Sequence, residues 1–415
     1  MLGSLEVKWY MHRQRTTVRS ADDFGNVDVI CFSHLRWEFV YQRPQHLMSR
    51  FAKHRRTFFV EEPVFDSAAP ELRLRVCAKT GVHVVVPALP KTSTRKQEDE
   101  YLRQLLCSLI AKQGIREFVA WFYTPMALSF AASICPLVTI YDCMDELSLF
   151  RGAPPELIEQ ERKLFERADL VFTGGLSLFE AKCERHRQVY PFPSSVDVRH
   201  FAQARNSAED PVDQRDIPHP RIGYAGVIDE RIDTELLAEV ARMRPDWHII
   251  MIGPIVKIPM DALPKPANIH YLGMKQYSDL PAYFSSWEAG MIPFALNDAT
   301  RFISPTKTPE YLAAGLPVIS TPIRDVVRPY GDLGLARIAE NANEFAAAID
   351  QSMTCCMSLK WRERADAFLS TLSWDSTWTA MNHLILTAIA NRRGASVSKP
   401  EPACRAIAVA AGGLA

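Results

Sequence analysis

Two residues three positions apart carry the clearest chemistry in the chain. Lys307 and Glu310 stand in S-P-T-K-T-P-E-Y-L-A-A-G-L-P-V-I-S-T-P, residues 304–322. A polar loop there runs into a short helix that the sequence places from about Pro309, since proline suits a first helical position whose N–H has no intrahelical partner. Thr308 is then the N-cap, Glu310 lies in the first turn, Gly315 ends the helix and 317–321 is a buried strand. Free N–H groups, a cation and a carboxylate so close together make a site for an anion that also carries hydroxyls. The amides and Lys307 suit a diphosphate, and Glu310 can accept hydrogen bonds from a sugar or ribose. The same residues also read as an ordinary helix–strand unit with a favourable first-turn charge.

Other candidate groups recur where predicted strands end. His34, Arg36 and Trp37 directly follow the strand 26–33. An unperturbed histidine titrates near neutrality, so His34 is a candidate general base or hydroxyl partner, and equally a polar loop residue. Tyr41, Arg43 and Gln45 suit an anionic group, although Arg43 also reads as a solvated cation at a helix start. Asp142 and Asp145 end the strand 137–141 and open a loop, as candidate hydroxyl acceptors. Two carboxylates lack a full ligand set for a divalent ion, so no metal is expected.

The elements that must position these groups alternate. Strands are expected at 26–33, 57–60, 82–87, 118–122, 137–141, 170–173 and 189–191, with helices from 44 and at 98–113, 156–167 and 176–184. Residues 203–219 are polar, proline-punctuated and without apolar periodicity, which marks an interdomain linker. The pattern then restarts with strands at 221–225, 247–252, 269–272 and 289–293, and helices at 234–243 and 280–285. Further helices are expected at 344–352 and 360–371, and a last amphipathic one from 374. This alternation implies mostly parallel sheets covered on both faces, in two doubly wound α/β domains that face each other across a cleft. The expected division is an arm 1–25, a first domain 26–202, the linker 203–219, a second domain 220–373, a terminal helix 374–393 that crosses back to the first domain, and a tail 394–415.

Composition bounds the partners. The chain has 415 residues, enough for two cores, and Lys plus Arg equals Asp plus Glu at 48 each, which excludes a general polyanion or nucleic-acid binder. Residues 1–60 nevertheless hold ten Lys/Arg against five Asp/Glu. Arg43, Arg50, Lys53, Arg55 and Arg56 lie on or near one predicted helix, an expected peripheral contact with anionic membrane. The nine cysteines form no C-x-x-C motif and are odd in number, which argues for a reducing cytoplasm rather than a disulfide framework. Together these readings point to the cytoplasm, at the inner face of the plasma membrane.

As a set, the motifs resemble a known family. In the second half, P-T-K-T-P-E-Y-L-A-A-G-L-P-V-I-S-T, G-Y-A-G-V-I-D-E-R-I-D and N-I-H-Y-L-G-M-K-Q-Y-S-D-L-P resemble the nucleotide-sugar domain of GT-B glycosyltransferases of the family-4 type. In the first half, L-R-W-E-F-V-Y-Q-R-P-Q-H-L, Y-D-C-M-D-E-L and A-D-L-V-F-T-G-G resemble a bacterial branch assigned to exopolysaccharide or cell-surface glycan assembly. The resemblance, over roughly residues 26–390, implies an α/β GT-B fold of two Rossmann-like domains. It also implies a retaining, metal-independent hexosyltransferase without a cofactor. The co-substrate would be a nucleoside-diphosphate sugar, and the acceptor a saccharide or lipid-linked saccharide.

By the same resemblance Glu310 holds the donor ribose, and the loop at Gly226 offers a cation to the diphosphate. Arg231 falls where that cation is usually lysine, with an ion pair to Asp229 or Asp233 as the alternative. Val227 stands where an arginine is expected, and Lys307, beside Thr308, replaces the missing charge. The family has two glutamates separated by seven residues, but the first position here is Phe302. Asp298 is the nearest upstream acid and the candidate substitute, catalytic together with His34. Arg36, Tyr41, Arg43, Asp142 and Asp145 are the candidate acceptor contacts. Two other functions compete: a degenerate transferase acting as a scaffold, favoured by the lost glutamate, and a sugar-nucleotide epimerase, which would need more acids and bases around the sugar.

Overall fold

The strand Val27–Ser33, V-D-V-I-C-F-S, is buried along its whole length, as a strand covered on both faces must be. It lies at the centre of an eight-stranded sheet in the computed structural model, which describes residues 27–206, 210–354 and 359–396. The spatial order is Glu71–Val76, His83–Ala88, Thr57–Glu61, Val27–Ser33, Glu117–Phe122, Val138–Cys143, Leu170–Thr173 and Val189–Pro191. All neighbours are parallel except the outermost hairpin, where Glu71–Val76 runs antiparallel to His83–Ala88. A second sheet of six parallel strands runs Ile269–Gly273, His248–Ile252, Arg221–Ala225, Ala289–Ile292, Val318–Ser320 and Ala336–Ile338.

Each sheet changes its winding direction at one strand. Val27–Ser33 pairs with Thr57–Glu61 on one side and Glu117–Phe122 on the other, while Arg221–Ala225 lies between His248–Ile252 and Ala289–Ile292. Connections leave in opposite directions at such strands, and a crevice opens beyond their carboxyl ends. His34 follows the first of these strands and Gly226 the second, so the topology puts both candidate loops at crevices.

The chain crosses between the two bodies twice. Val196, Phe201 and Ala204 already pack in the core of the second sheet. The described part of 203–219 is docked rather than free: Gln214 is buried, donates to Ser286 Oγ at 2.6 Å and accepts from Trp287 Nε1 at 2.8 Å. At the far end, Trp374, Met381, Ile385 and Ile389 of the helix Trp374–Ser396 join the core of the first sheet. The arm 1–25 and the tail beyond 396 lie outside the described residues; 394–396 still belong to that helix.

This return helix covers part of the basic helix read as a membrane contact. The helix Arg43–Ala52 packs beneath it, Arg50 Nε pairs with Asp375 at 2.7 Å, and Arg56 pairs with Asp28. Arg43 is buried in the first domain. Only Lys53 of the residues read as a membrane contact is exposed without a described ion pair, and Arg55 is half-buried.

The two bodies are also joined along the cleft. Asp325 Oδ1 accepts a hydrogen bond from Ser177 N at 3.0 Å, at the start of the helix Leu176–Lys182. Arg328 forks onto Glu180 at 3.0 and 3.2 Å, and Ser194 Oγ donates to Ser304 O at 3.0 Å. Gly175 makes this approach feasible, because a Cβ there would lie 2.1 Å from Asp325 Oδ2.

Candidate active site

The helix Lys307–Ala314 begins two residues earlier than its proline suggests. Pro309 is its third residue, where the N–H is still one of the four without an intrahelical partner, so the helix tolerates it. Thr306 is therefore the N-cap position and Thr308 lies inside the first turn, its Oγ1 buried without a hydrogen-bond partner among the described residues. Gly315 closes the helix at φ 84°. Arg205 donates to the carbonyls of Ala313 and Leu312 at 2.8 and 3.2 Å, capping the same end. From the helix middle, Tyr311 accepts a hydrogen bond from Ala225 N at 2.8 Å, which ties the helix to the strand that ends beside Gly226.

That tie brings the predicted donor groups together. A Cβ on Gly226 would lie 2.5 Å from Lys307 Cε and 2.7 Å from the Tyr224 hydroxyl oxygen, so the lysine passes directly over a residue with no side chain. Gly226→Ala is expected to push Lys307 aside and weaken donor use, by less than loss of the lysine itself, with little change in melting temperature. Initial rates against donor concentration, together with a thermal melt, check this.

Lys307 and Glu310 are both half-buried at the cleft. Burial lowers the Lys307 ammonium from its usual range, against the opposing pull of Glu310. Burial likewise pushes the Glu310 carboxyl up to about 7, while Lys307 and the Thr306 hydroxyl pull it down. Arg231 takes the alternative partner: its Nε and Nη2 fork onto Asp229 at 2.8 and 2.7 Å, and its guanidinium lies 5.7 Å from the Phe150 ring centre across the cleft. It still acts on Lys307, as do Glu310, Asp229 and Asp145.

On the opposite wall the sequence reading needs more correction. Arg43 and Asp142 are not cleft ligands. Arg43 Nε meets both Asp142 oxygens at 3.1 Å, Nη2 meets Oδ1 at 2.8 Å, and Nη1 donates to Phe192 O at 2.6 Å. Asp142 has no exposed surface. Arg36 is engaged with Glu61 at 3.0 Å and with the carbonyls of Glu62 and Pro63, so it braces the end of the neighbouring strand. Tyr41 packs into an aromatic seam, 4.7 Å from both His46 and Tyr277. Tyr277 belongs to the second domain and stacks on His200 at 4.3 Å, so this seam is interdomain packing.

Two predicted groups remain at the cleft on this side. His34 is half-buried, with Nδ1 unpartnered among the described residues. Burial and the nearby Lys257 lower its pKa to about 4, so the imidazole is neutral at pH 7 and available as a hydrogen-bonding base. Asp145 is pushed up to about 6 by burial, against the pull of Arg231. Asp298 lies exposed on the turn Asp298–Thr300. Phe302 packs its ring against the core of the first domain. Among the described residues no group of three or more His, Cys, Asp or Glu is arranged to hold a metal ion.

Several supporting residues were invisible in the sequence. Tyr311, Arg205, Asp325 and Lys257 act through contacts far along the chain, and nothing in their local spacing announces them. The turn at Gly253 gives a partial signal. A glycine directly after a strand is needed there because φ is +142° and a Cβ would lie 1.8 Å from Gly226 O.

Comparison with known proteins agrees with this geometry. Residues 219–354 match the family described as Glycosyl transferases group 1. The putative teichuronic acid biosynthesis glycosyltransferase TuaH of Bacillus subtilis (strain 168) is 24% identical over 202 residues, which are 44% of this chain and 50% of that one. The match thus spans half the length of that relative. Among solved structures, sucrose-phosphate synthase from Thermosynechococcus elongatus superposes with a TM-score of 0.63 at 14% identity, covering 88% of this chain and all of that one. Anabaena HepE in complex with UDP and glucose gives 0.62 at 11% identity, over 87% of this chain and 99% of that one. A trehalose-phosphate synthase (UDP-forming) from Burkholderia xenovorans, in complex with glucose-6-phosphate, gives 0.62 at 12%, again over 87% and 99%. These structures share the two-domain GT-B architecture. Residues 219–354 are thus similar to the group 1 glycosyl transferases, and the chain as a whole has the GT-B fold.

Proposed function

We propose that the protein transfers a glycosyl group from a nucleoside-diphosphate sugar to a saccharide or lipid-linked saccharide in the assembly of a bacterial surface polysaccharide. The observation that carries this reading is the placement of Lys307 over Gly226, with Glu310 in the same first turn of the helix, at the crevice of the second sheet. Lys307 and the first-turn amides take the diphosphate, and Glu310 takes the ribose hydroxyls. As the glycosyl bond breaks, negative charge grows on the leaving diphosphate, where a fixed cation in a partly buried site stabilises it most. With Lys307 supplying that charge beside the first-turn amides, the reaction proceeds without a divalent ion. His34, neutral and across the cleft, accepts the proton of the attacking hydroxyl. Retention at the anomeric carbon is the expected outcome. The teichuronic acid relative and the UDP complexes of similar structures support the choice of substrates.

Incubating the full chain with a panel of UDP-, GDP- and dTDP-sugars, with EDTA, tests the reading. Release of nucleoside diphosphate from at least one donor is expected, and it should persist in EDTA. No release from any donor would refute the proposal.

The pH dependence has a defined sign. The Glu310 carboxyl, raised by burial to about 7, is largely neutral below that pH. Hydrogen bonds to an ionised acceptor are roughly twice as strong as neutral ones. Donor KM should therefore rise as pH falls through about 7, and Glu310→Gln should flatten that limb. KM profiles of the two proteins between pH 5.5 and 8.5 are the check.

A further inference from the structure

Asp145 stands on a first-domain loop that faces Arg231 and Lys307 of the second domain. Three carboxylates act on Lys307: Glu310, Asp229 and Asp145. Asp229 is consumed by the fork to Arg231, and Glu310 lies on the same helix as the lysine. Asp145 alone comes from the opposite wall.

The loop that carries it is fixed at three points. Before it, Asp142 is locked by Arg43, at 2.8 Å. After it, Glu146 pairs with the buried Lys182 at 2.5 Å, and Lys182 also pairs with Glu161 at 2.9 Å. Between them the backbone of Met144 lies against Gly174, where a Cβ would come within 2.2 Å of Met144 O. The same loop then touches the second domain directly. Arg151 N donates to Glu230 Oε1 at 3.2 Å, and Phe150 lies under the Arg231 guanidinium. Asp145 is thus held in place without a described ion pair of its own.

A carboxylate held so rigidly cannot share its position with a diphosphate, because two anions would repel. It can serve hydroxyls next to that diphosphate. In a nucleoside-diphosphate sugar two hydroxylated groups flank the phosphates, the ribose and the transferred sugar. Glu310 serves the first from the donor helix. Phe302, which packs against the first domain, offers only ring carbon. We propose that Asp145 is a donor-sugar specificity residue, its carboxylate accepting hydrogen bonds from hydroxyls of the transferred glycosyl group. This rests on the donor reading above and gives the first domain a part in choosing the sugar.

The experiment compares titrations of UDP with those of UDP-glucose, UDP-galactose and UDP-N-acetylglucosamine on wild type, Asp145→Ala and Asp145→Asn. Loss of a hydrogen bond to a charged group corresponds to roughly a ten- to hundred-fold change in affinity. The preferred UDP-sugar should weaken by that order in Asp145→Ala and by less in Asp145→Asn, while UDP alone binds as before or tighter. The ratios among the three sugars should also narrow. Thermal melts identify a variant that fails to fold, in which case Asp145→Asn carries the comparison. If wild type binds UDP and a UDP-sugar but the variants leave their ratio unchanged, or weaken both equally, Asp145 has no such role and the donor reading stands. If wild type binds no nucleotide or nucleotide sugar, both fall together.

Discussion

Asp142→Ala is expected to destabilise the first domain by about 3–5 kcal/mol, the cost of leaving one member of a buried ion pair without its partner. Arg43 has three described contacts with Asp142 and one with the Phe192 carbonyl, and it is 4% exposed. Without the carboxylate, its charge stays buried against a single carbonyl. The double variant Arg43→Met with Asp142→Leu removes both charges and should recover much of the loss, since apolar residues of similar volume often replace buried pairs without penalty. Urea unfolding followed by tryptophan fluorescence measures both, Trp121 being buried in the same domain core. A single variant within about 0.5 kcal/mol of wild type, the range of an ordinary surface change, would show that the pair does not hold the domain.

Lys307→Ala and Glu310→Ala form the second large effect. Each removes a charge-assisted contact to the donor, roughly 1.5–3 kcal/mol, or about ten- to a hundred-fold in kcat/KM for the nucleotide sugar. The two should differ in kind. Lys307 faces charge that grows in the transition state, so its loss should lower kcat, whereas the ribose contact of Glu310 is present throughout and its loss should raise KM. Initial-rate kinetics over a range of donor concentrations separates these outcomes. Unchanged donor kinetics in both variants would move the diphosphate elsewhere.

The sequence was most informative where structure is local. Leu170–Thr173, Val189–Pro191, Arg221–Ala225 and Thr234–Met243 occupy the positions that apolar periodicity assigns them, because each is decided by its own residues and their burial. The strand Glu71–Val76 was not read. Its alternation of Leu72, Leu74 and Val76 with charged residues was the available signal, but a mostly exposed edge strand lacks the apolar run that marks its parallel neighbours. The approach of Lys307 to Gly226 was foreshadowed because both belong to short motifs at strand and helix ends. Arg43 and Asp142 were misread for the opposite reason. They lie 99 residues apart, and only the fold shows that two polar residues near strand ends point at each other instead of into the cleft. Asp298 was chosen as the nearest acid along the chain, and the fold leaves it exposed on the turn Asp298–Thr300.

A structure of the chain with bound UDP tests the central claim most directly. The account predicts the diphosphate at Lys307 Nζ and the amides of Thr306 and Lys307, with the ribose hydroxyls within hydrogen-bond distance of the Glu310 carboxylate. A nucleotide bound away from the helix Lys307–Ala314, or ribose hydroxyls turned from Glu310, would contradict it.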